Sequence, residues 1–314
     1  MANNKLTSAK KNKNDEFYTR REDIMNEVTF YTPQFVGKTI YCNCDNPDSS
    51  EFYKLFKNSF KALKLKGLIA TGYNPDGKGY CAMYDGETEC RPELYGNGSF
   101  DSEDCIEYLK AADIVITNPP FSLFREYIST LEKYNKKYLI IGNSNAITYK
   151  EVFKLLKEEK LRQGYTWVKE FLQPDGSYKK FGNICWFTNL DVDIKYKQSR
   201  AKENYDISMS YVTYEGNEEN YPKYDNYDAI NVDKSKDIPS DYFEEIGVPI
   251  SFMDYLDPEV WEIVGLLSGK TSDEKYFLQG IPVDAHYSNG TIAKTTYGVV
   301  NGEQKYHRII IKRK

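Results

Sequence analysis

Through the first 190 residues, short apolar runs alternate with amphipathic stretches. Lys38-Thr39-Ile40-Tyr41-Cys42-Asn43, Gly67-Leu68-Ile69-Ala70-Thr71, Ala111-Ala112-Asp113-Ile114-Val115-Ile116 and Lys137-Tyr138-Leu139-Ile140-Ile141-Gly142 read as short, buried strands. Between them the spacing predicts a helix with Phe52, Leu55, Phe56 and Leu63 on one face, capped by Ser49 or Ser50. Further helices are predicted around Cys105, Ile106 and Leu109, from Leu123 to Tyr134 and from Lys150 to Lys160. This alternation predicts an α/β fold with a doubly wound, mostly parallel sheet.

Two stretches break the rhythm. Gly72 to Gly98 is glycine-rich, with turn signals at Pro75-Asp76-Gly77 and Asp85-Gly86, and reads as an inserted hairpin. After Asp191 the chain turns acidic and rich in Tyr and Asn, and its periodicity fades. Helical patterning returns near Asp241-Phe243-Ile246 and from Pro258 to Leu267, and Tyr306 to Lys312 alternates like an edge strand at first, then turns continuously apolar. The resulting division is a flexible basic segment over 1–14, a folded α/β domain over 15–190, and a further region over 191–314 packed on it.

Charge changes the picture only locally. Lys+Arg 42 against Asp+Glu 47 gives a net charge of -5, which argues against a protein that simply coats nucleic acid. Both ends are nonetheless basic, through Lys5, Lys10, Lys11 and Lys13 and through Lys305, Arg308, Lys312, Arg313 and Lys314. Binding to a phosphate backbone depends on such local charge. The 28 tyrosines suit wet interfaces and base stacking as well as ordinary packing. Six cysteines without a C-x-x-C pair, and two histidines far downstream, make a metal site unexpected. No signal peptide is evident, and no apolar run approaches the roughly 20 residues that span a bilayer. A reduced, cytoplasmic protein without membrane attachment is the expectation.

Thr117-Asn118-Pro119-Pro120-Phe121 carries the most chemistry. It follows a buried strand, and open α/β sheets hold their ligands at the carboxyl ends of strands. An amide, two prolines and an aromatic there suit a pocket for a flat, amine-bearing ring, which points to methylation of an exocyclic amine. Such an amine is a poor nucleophile because its lone pair is delocalised. Acceptors on its two N–H groups, from the Asn118 side chain and the Pro119 carbonyl, would free that pair, while Phe121 stacks on the ring. Positioning and electrostatics suffice for this chemistry, so no general-base histidine is needed. Asp45 and Asp101 sit at other strand ends, where each could hold a cofactor, form an Asx-turn or cap a helix.

Taken with Asp15-Glu16-Phe17-Tyr18-Thr19, Tyr41-Cys42-Asn43-Cys44-Asp45, Thr117 through Arg125, Leu139 through Asn143, Ala146 through Tyr149, Gly182-Asn183 and Trp186 through Asn189, the motif resembles adenine-specific DNA methyltransferases of the EcoRI modification-methylase type. The resemblance runs on through Gly247-Val248-Pro249-Ile250 to the basic tail. It implies the class I methyltransferase fold with a target-recognition region after 191, S-adenosyl-L-methionine as donor, and N6-methyladenine in double-stranded DNA as product, the base being flipped out of the duplex. Tyr18 and Thr19 would approach the methionine end of the cofactor. Asn43 and Asp45 would line its loop, Phe100 and Asp101 would meet its adenine, and Asn118, Pro119, Pro120 and Phe121 would hold the target base. A monomer is expected, with a cognate restriction endonuclease as a partner sharing the site without direct contact. Candidate base readers are Asn145, Arg162 and Gln163, within or beside Asn143 to Tyr149 and Tyr165-Thr166-Trp167.

One departure from the wider superfamily stands out. Asp45-Asn46-Pro47-Asp48-Ser49-Ser50 has no glycine where backbone normally approaches a cofactor closely, and Thr71-Gly72-Tyr73 lacks the acid that often binds ribose. The alternatives are an RNA-adenine or protein-glutamine N-methyltransferase, and a nucleic-acid-binding protein that has lost catalysis.

Overall fold

The structure, a computed structural model, describes residues 18–173, 176–197, 212–268 and 275–314. The segment expected to be flexible and Asp15-Glu16-Phe17 lie outside the described residues. The chain separates into two units, one running through Ser144 and resuming over Leu161–Asp191, the other comprising Asn145–Lys160 and Val192–Lys314.

The first unit contains strands β1 (Tyr18–Thr19), β2 (Thr39–Cys42), β3 (Gly67–Gly72), β4 (Tyr80–Tyr84), β5 (Glu89–Cys90), β6 (Ile114–Thr117), β7 (Lys137–Asn143), β8 (Arg162–Leu172) and β9 (Tyr178–Thr188). Its helices are α1 (Arg21–Val28), α2 (Thr32–Phe35), α3 (Glu51–Asn58), α4 (Glu103–Ala111) and α5 (Phe124–Lys133). All nine strands join one sheet in the order β1-β8-β9-β7-β6-β2-β3-β4-β5. The middle, β7-β6-β2-β3, is parallel and buried: Ile40, Tyr41, Val115, Ile116, Leu139, Ile140 and Ile141 are fully shielded. Ser50 caps α3 by accepting from the amides of Phe52 and Tyr53, and Ser102 rather than Asp101 caps α4.

The expectation of a mostly parallel sheet holds only for that centre. β4 and β5 extend it antiparallel beyond β3, and β9, β8 and β1 do the same beyond β7. The reason is the connections. β3–β4, β4–β5 and β8–β9 are joined by short loops, which allow antiparallel neighbours, whereas a parallel neighbour requires a crossover. The glycine-rich excursion is therefore part of the sheet and not an insertion beside it.

A buried acid fixes the irregular part of β8. Glu27 on α1 is fully shielded and accepts from the Tyr31 hydroxyl (2.8 Å), the Tyr165 amide (2.8 Å), and both the amide and hydroxyl of Thr166 (2.7 Å each). Burial pushes its carboxyl pKa up, and these hydrogen bonds pull it back. The pairing of β8 with β9 shifts register between Gln163 and Trp167, and the freed amides point at Glu27. Gly164 makes the approach possible: a Cβ there would lie 2.1 Å from Glu27 Oε1 and 2.7 Å from Trp186 Cβ.

The second unit contains α6 (Lys150–Lys157) and strands β10 (Ile230–Asn231), β11 (Ile246–Pro249), β12 (Trp261–Leu267), β13 (Phe277–Leu278), β14 (Val283–His286), β15 (Ile292–Thr295), β16 (Val299–Val300), β17 (Glu303–Gln304) and β18 (Arg308–Arg313). One sheet runs β10-β11-β18-β12-β13, the other β15-β14-β17-β16. Two sequence expectations fail here. The helical patterning near Ile246 and from Pro258 to Leu267 belongs to strands β11 and β12, where β-branched residues and Gly247 and Gly265 favour pairing over a helix. The C-terminal segment is the central strand of its sheet, not an edge: Ile309, Ile310 and Ile311 are all fully buried, as a continuous apolar run requires. Arg308, beside them, is neutralised by Asp233 (2.9 Å) and also donates to Asn231 (3.1 Å).

Gly164→Ala should lower stability by about 1–3 kcal/mol through overpacking against Glu27. Urea unfolding would register this as a lower midpoint at unchanged m; an unchanged midpoint would mean that α1 can shift away from β8 at little cost.

Candidate functional site

The chain passes from β2 to β3 on one side of the sheet and returns to β6 on the other side of β2. The carboxyl ends of β2 and β6 therefore flank a switch point, where an open α/β sheet leaves a crevice. A cavity of about 470 Å³ lies there. Of the site residues expected from sequence, Tyr18, Thr19, Asn43, Asp45, Phe100, Asn118, Pro119 and Pro120 line it. Asp101 and Phe121 do not. Asp101 is exposed and accepts from the Ser99 hydroxyl, while Phe121 packs edge-on against Phe171 with ring centroids 6.3 Å apart.

Asp45 ties three elements together. One carboxylate oxygen accepts from the Ser50 hydroxyl (2.7 Å) at the N-cap of α3. The other accepts from the hydroxyl of Thr117, the last residue of β6 and the neighbour of Asn118. The Asp45 amide donates to the Thr71 carbonyl near the end of β3 (2.9 Å). Burial raises the carboxyl from 3.8 to about 6, against the two hydroxyl hydrogen bonds that lower it. Asn43 is held in a similar way: its carbonyl oxygen accepts from the buried Tyr127 hydroxyl on α5. The Phe100 ring stands edge-on to Tyr127, centroids 5.0 Å apart. The helix after Asn-Pro-Pro-Phe thus braces the loop after β2.

The glycines absent from the loop after β2 are supplied by its neighbours. A Cβ on Gly72 would come within 2.6 Å of Asn46 Cα, and one on Gly98 (φ +75°) within 2.2 Å of the Gly72 carbonyl oxygen. Gly79 packs on Gly98 just as closely, at 2.5 Å from Cβ to Cα. These three glycines let the segments 72–80 and 96–100 close over the loop. They bring Tyr73, Asn74, Tyr80 and Asn97 to the cavity wall. Sequence reasoning missed those four and also the tie residues Ser50 and Thr117. The glycine-rich character of Gly72 to Gly98 was the available signal, visible in sequence as turns rather than as a cavity wall.

The cavity offers polar contacts to a ligand. Thr19 Oγ1 is buried there with no hydrogen-bond partner among the described residues. Glu51, at the first position of α3, also lines it. Among the described residues no group of three or more His, Cys, Asp or Glu could hold a metal ion, and no helix is long and apolar enough to cross a membrane.

The base-reader expectations divide. Gln163 is 2 % exposed, with its amide donating to Cys185 Sγ (3.4 Å), so it belongs to the interior rather than to a reading surface. Tyr165 is stacked on Phe30 at 4.3 Å. Arg162 stands on β8 in the first unit and Asn145 in the second.

A mixed α/β sheet with a ligand-sized crevice at its switch point, edged by Thr-Asn-Pro-Pro, defines the class of site. The chain belongs to the EcoRI adenine-specific methyltransferase family, whose profile matches residues 5–89 and 78–314. It is 41% identical to the Type II methyltransferase M.EcoRI of Escherichia coli, covering 100% of this chain and 98% of that protein. The Type II methyltransferase M.MpnI of Mycoplasma pneumoniae is 37% identical over 98% of this chain and 97% of its own length. A Type II methyltransferase of Mycoplasma genitalium is 36% identical, with 97% of each chain covered. No solved structure matches the chain.

The raised Asp45 pKa has a thermodynamic consequence. Its folded value, about 6, exceeds its unfolded one, so the folded state holds the proton longer. The contribution is fully present below about pH 4 and is lost as pH rises through about 6, a change of about 3 kcal/mol. Asp45→Asn does not titrate. The stability of the wild type relative to this variant should therefore fall by that amount between pH 4 and pH 7, measured by urea unfolding. An equal difference at both pH values would mean that water reaches the carboxylate.

Proposed function

We propose that this chain is a site-specific DNA methyltransferase that methylates the N6 amine of an adenine flipped out of duplex DNA, with S-adenosyl-L-methionine as donor. The observation that carries the reading is the meeting, in one cavity, of Asn118, Pro119 and Pro120 with Thr19, Asn43, Asp45 and Phe100 in a chain of the EcoRI family. The first unit would be a catalytic domain of the class I methyltransferase type, and the second would carry target recognition.

The cavity volume lies in the range of small-molecule and cofactor sites. The partnerless hydroxyl of Thr19 gives a polar cofactor group something to bind, and the Phe100 ring gives its purine an apolar surface. When bound, S-adenosyl-L-methionine supplies a methyl group on a positively charged sulfur. The chain's own part is placement. Asn118 and the Pro119 carbonyl would accept from the two N–H groups of the target amine, freeing its lone pair. Pro120 after Pro119 limits the backbone to few conformations, so the acceptor geometry is set before the base arrives. Asp45, through Thr117, fixes the strand end that carries Asn118. Phe121, outside the cavity wall and packed on Phe171, would meet the base from the rim.

Labelled S-adenosyl-L-methionine and unmethylated genomic DNA test this directly, with nucleoside analysis and modification-aware sequencing of the product. The expected result is N6-methyladenine at one short motif. Asn118→Ala should lower turnover by about 10²–10³-fold while cofactor binding persists. Label entering RNA or protein while DNA stays unlabelled would reject the substrate. Thr19→Val should weaken cofactor binding by calorimetry without altering which site is methylated; unchanged affinity would remove Thr19 from the cofactor site.

A further inference from the structure

Resting on the S-adenosyl-L-methionine reading above, we infer that Glu51 binds the cofactor's ribose, its carboxylate accepting from the two neighbouring hydroxyls. Open α/β sheets that bind nucleosides commonly take such an acid from the end of the strand that follows the cofactor loop and its helix. Here that strand is β3, which closes on Thr71 and Gly72, with Tyr73 next. The Thr71 hydroxyl is paired with that of Tyr41 (2.7 Å) inside the unit. Position 72 has no room for a side chain, since a Cβ would lie 2.6 Å from Asn46 Cα. Tight contact between β3 and the loop after β2 thus keeps the acid from its common place. A carboxylate for the ribose has to come from another part of the wall.

Among the described residues, two acids stand on the cavity wall, Asp45 and Glu51. Asp45 is 8 % exposed, and the hydroxyls of Ser50 and Thr117 take its two oxygens. Glu51 differs. Its side chain is 32 % exposed, its Oε1 accepts from the Lys54 ammonium (3.0 Å), and among the described residues its Oε2 has no partner. Its backbone is fixed, because Ser50 caps the same turn of α3 and is tied to Asp45. Lys54 also selects the kind of donor that can join. A second cation on this carboxylate, such as the cofactor's amine or sulfonium, would stand close to the Lys54 ammonium and be repelled. A neutral hydroxyl meets no such repulsion and gains a hydrogen bond to an ionised acceptor. The ribose offers two such hydroxyls side by side.

The test is a binding cycle on the full chain, read by calorimetry. The ligands are S-adenosyl-L-homocysteine, which is the donor without its methyl group, and the analogue lacking both ribose hydroxyls. Neither can be turned over, so affinity alone is read. Wild type should bind the analogue about 10–100-fold more weakly, the size expected of hydrogen bonds to a charged group. Glu51→Gln keeps the side chain's shape, and it should lose about tenfold of that discrimination, chiefly through weaker binding of S-adenosyl-L-homocysteine. Lys54→Gln removes the ion pair and leaves the carboxylate, so it should discriminate as wild type does. Equal discrimination by wild type and Glu51→Gln overturns the ribose contact while the cofactor site stands. Lys54→Gln behaving like Glu51→Gln overturns it too, by assigning the effect to the ion pair. A wild type that binds neither ligand rejects the S-adenosyl-L-methionine reading and this contact with it.

Discussion

A single buried carboxylate organises the crevice. Asp45 follows β2, and its two oxygens are taken by the N-cap of α3 and by the last residue of β6, while its amide is taken by β3. These are the elements on either side of the switch point, so the separation of the strand ends is set by hydrogen bonds to one side chain. Burial makes that carboxylate costly, and two hydroxyl donors offset only part of the cost, since its pKa remains raised. A protein retains such a group where geometry matters more than stability, and here the geometry is that of Asn118 relative to the loop after β2.

The same economy recurs around Glu27. A carboxylate inside the unit accepts four hydrogen bonds from β8 and Tyr31, and a glycine in β8 makes room for it. Glu27 takes two amides that the break in the β8–β9 ladder leaves unpaired, whereas Asp45 takes two side-chain hydroxyls. In each case, too, a glycine that tolerates close approach lies nearby, Gly164 at Glu27 and Gly72 at the Asp45 loop. Close approach to the loop after β2 does not require glycine within that loop, because contact has two sides. Gly72, Gly79 and Gly98 supply it from the other.

What the sequence made legible follows from the kind of signal involved. Continuous apolar runs marked β2, β3, β6 and β7, because a strand buried on both faces has no room for polar residues. The Asn-Pro-Pro-Phe string was legible because proline restricts the backbone wherever it stands. The hairpin between Gly72 and Gly98 was legible from its turns, but not that it joins the sheet beside β3, nor that β9 and β8 extend the other margin, since cross-strand partners are not encoded by a local pattern. In the second unit, Pro258 to Leu267 carries apolar spacing that suits a helix, yet pairing with the isoleucines of β18 decides the outcome. Gln163 illustrates the same limit for function: an amide suited to reading a base edge is instead buried on β8, donating to Cys185 Sγ. Ser50 was legible as the cap of α3 but not as a donor to Asp45, and Thr117 gave no signal of its tie, since that role of a hydroxyl depends on the acid that the fold brings to it.

Net charge says little about where a chain meets a phosphate. At physiological salt, charges separated by more than about 8 Å are largely screened from one another, so a phosphate responds to the few side chains beside it. The sum of -5 is an average over a surface that a duplex never meets at once. Near the motif, Glu170 is engaged by Arg20 and Lys180, and Lys179 lies across from Phe171. The shift between Gln163 and Trp167 is cancelled by a second one between Val168 and Glu170, so the outer pairs return to the register of Arg162 and Gln163. A bulge also increases local twist, which aims the outer arm of the hairpin. Phe171 on that outer arm packs on Phe121, and so ties β8 to the residue that follows Asn118, Pro119 and Pro120.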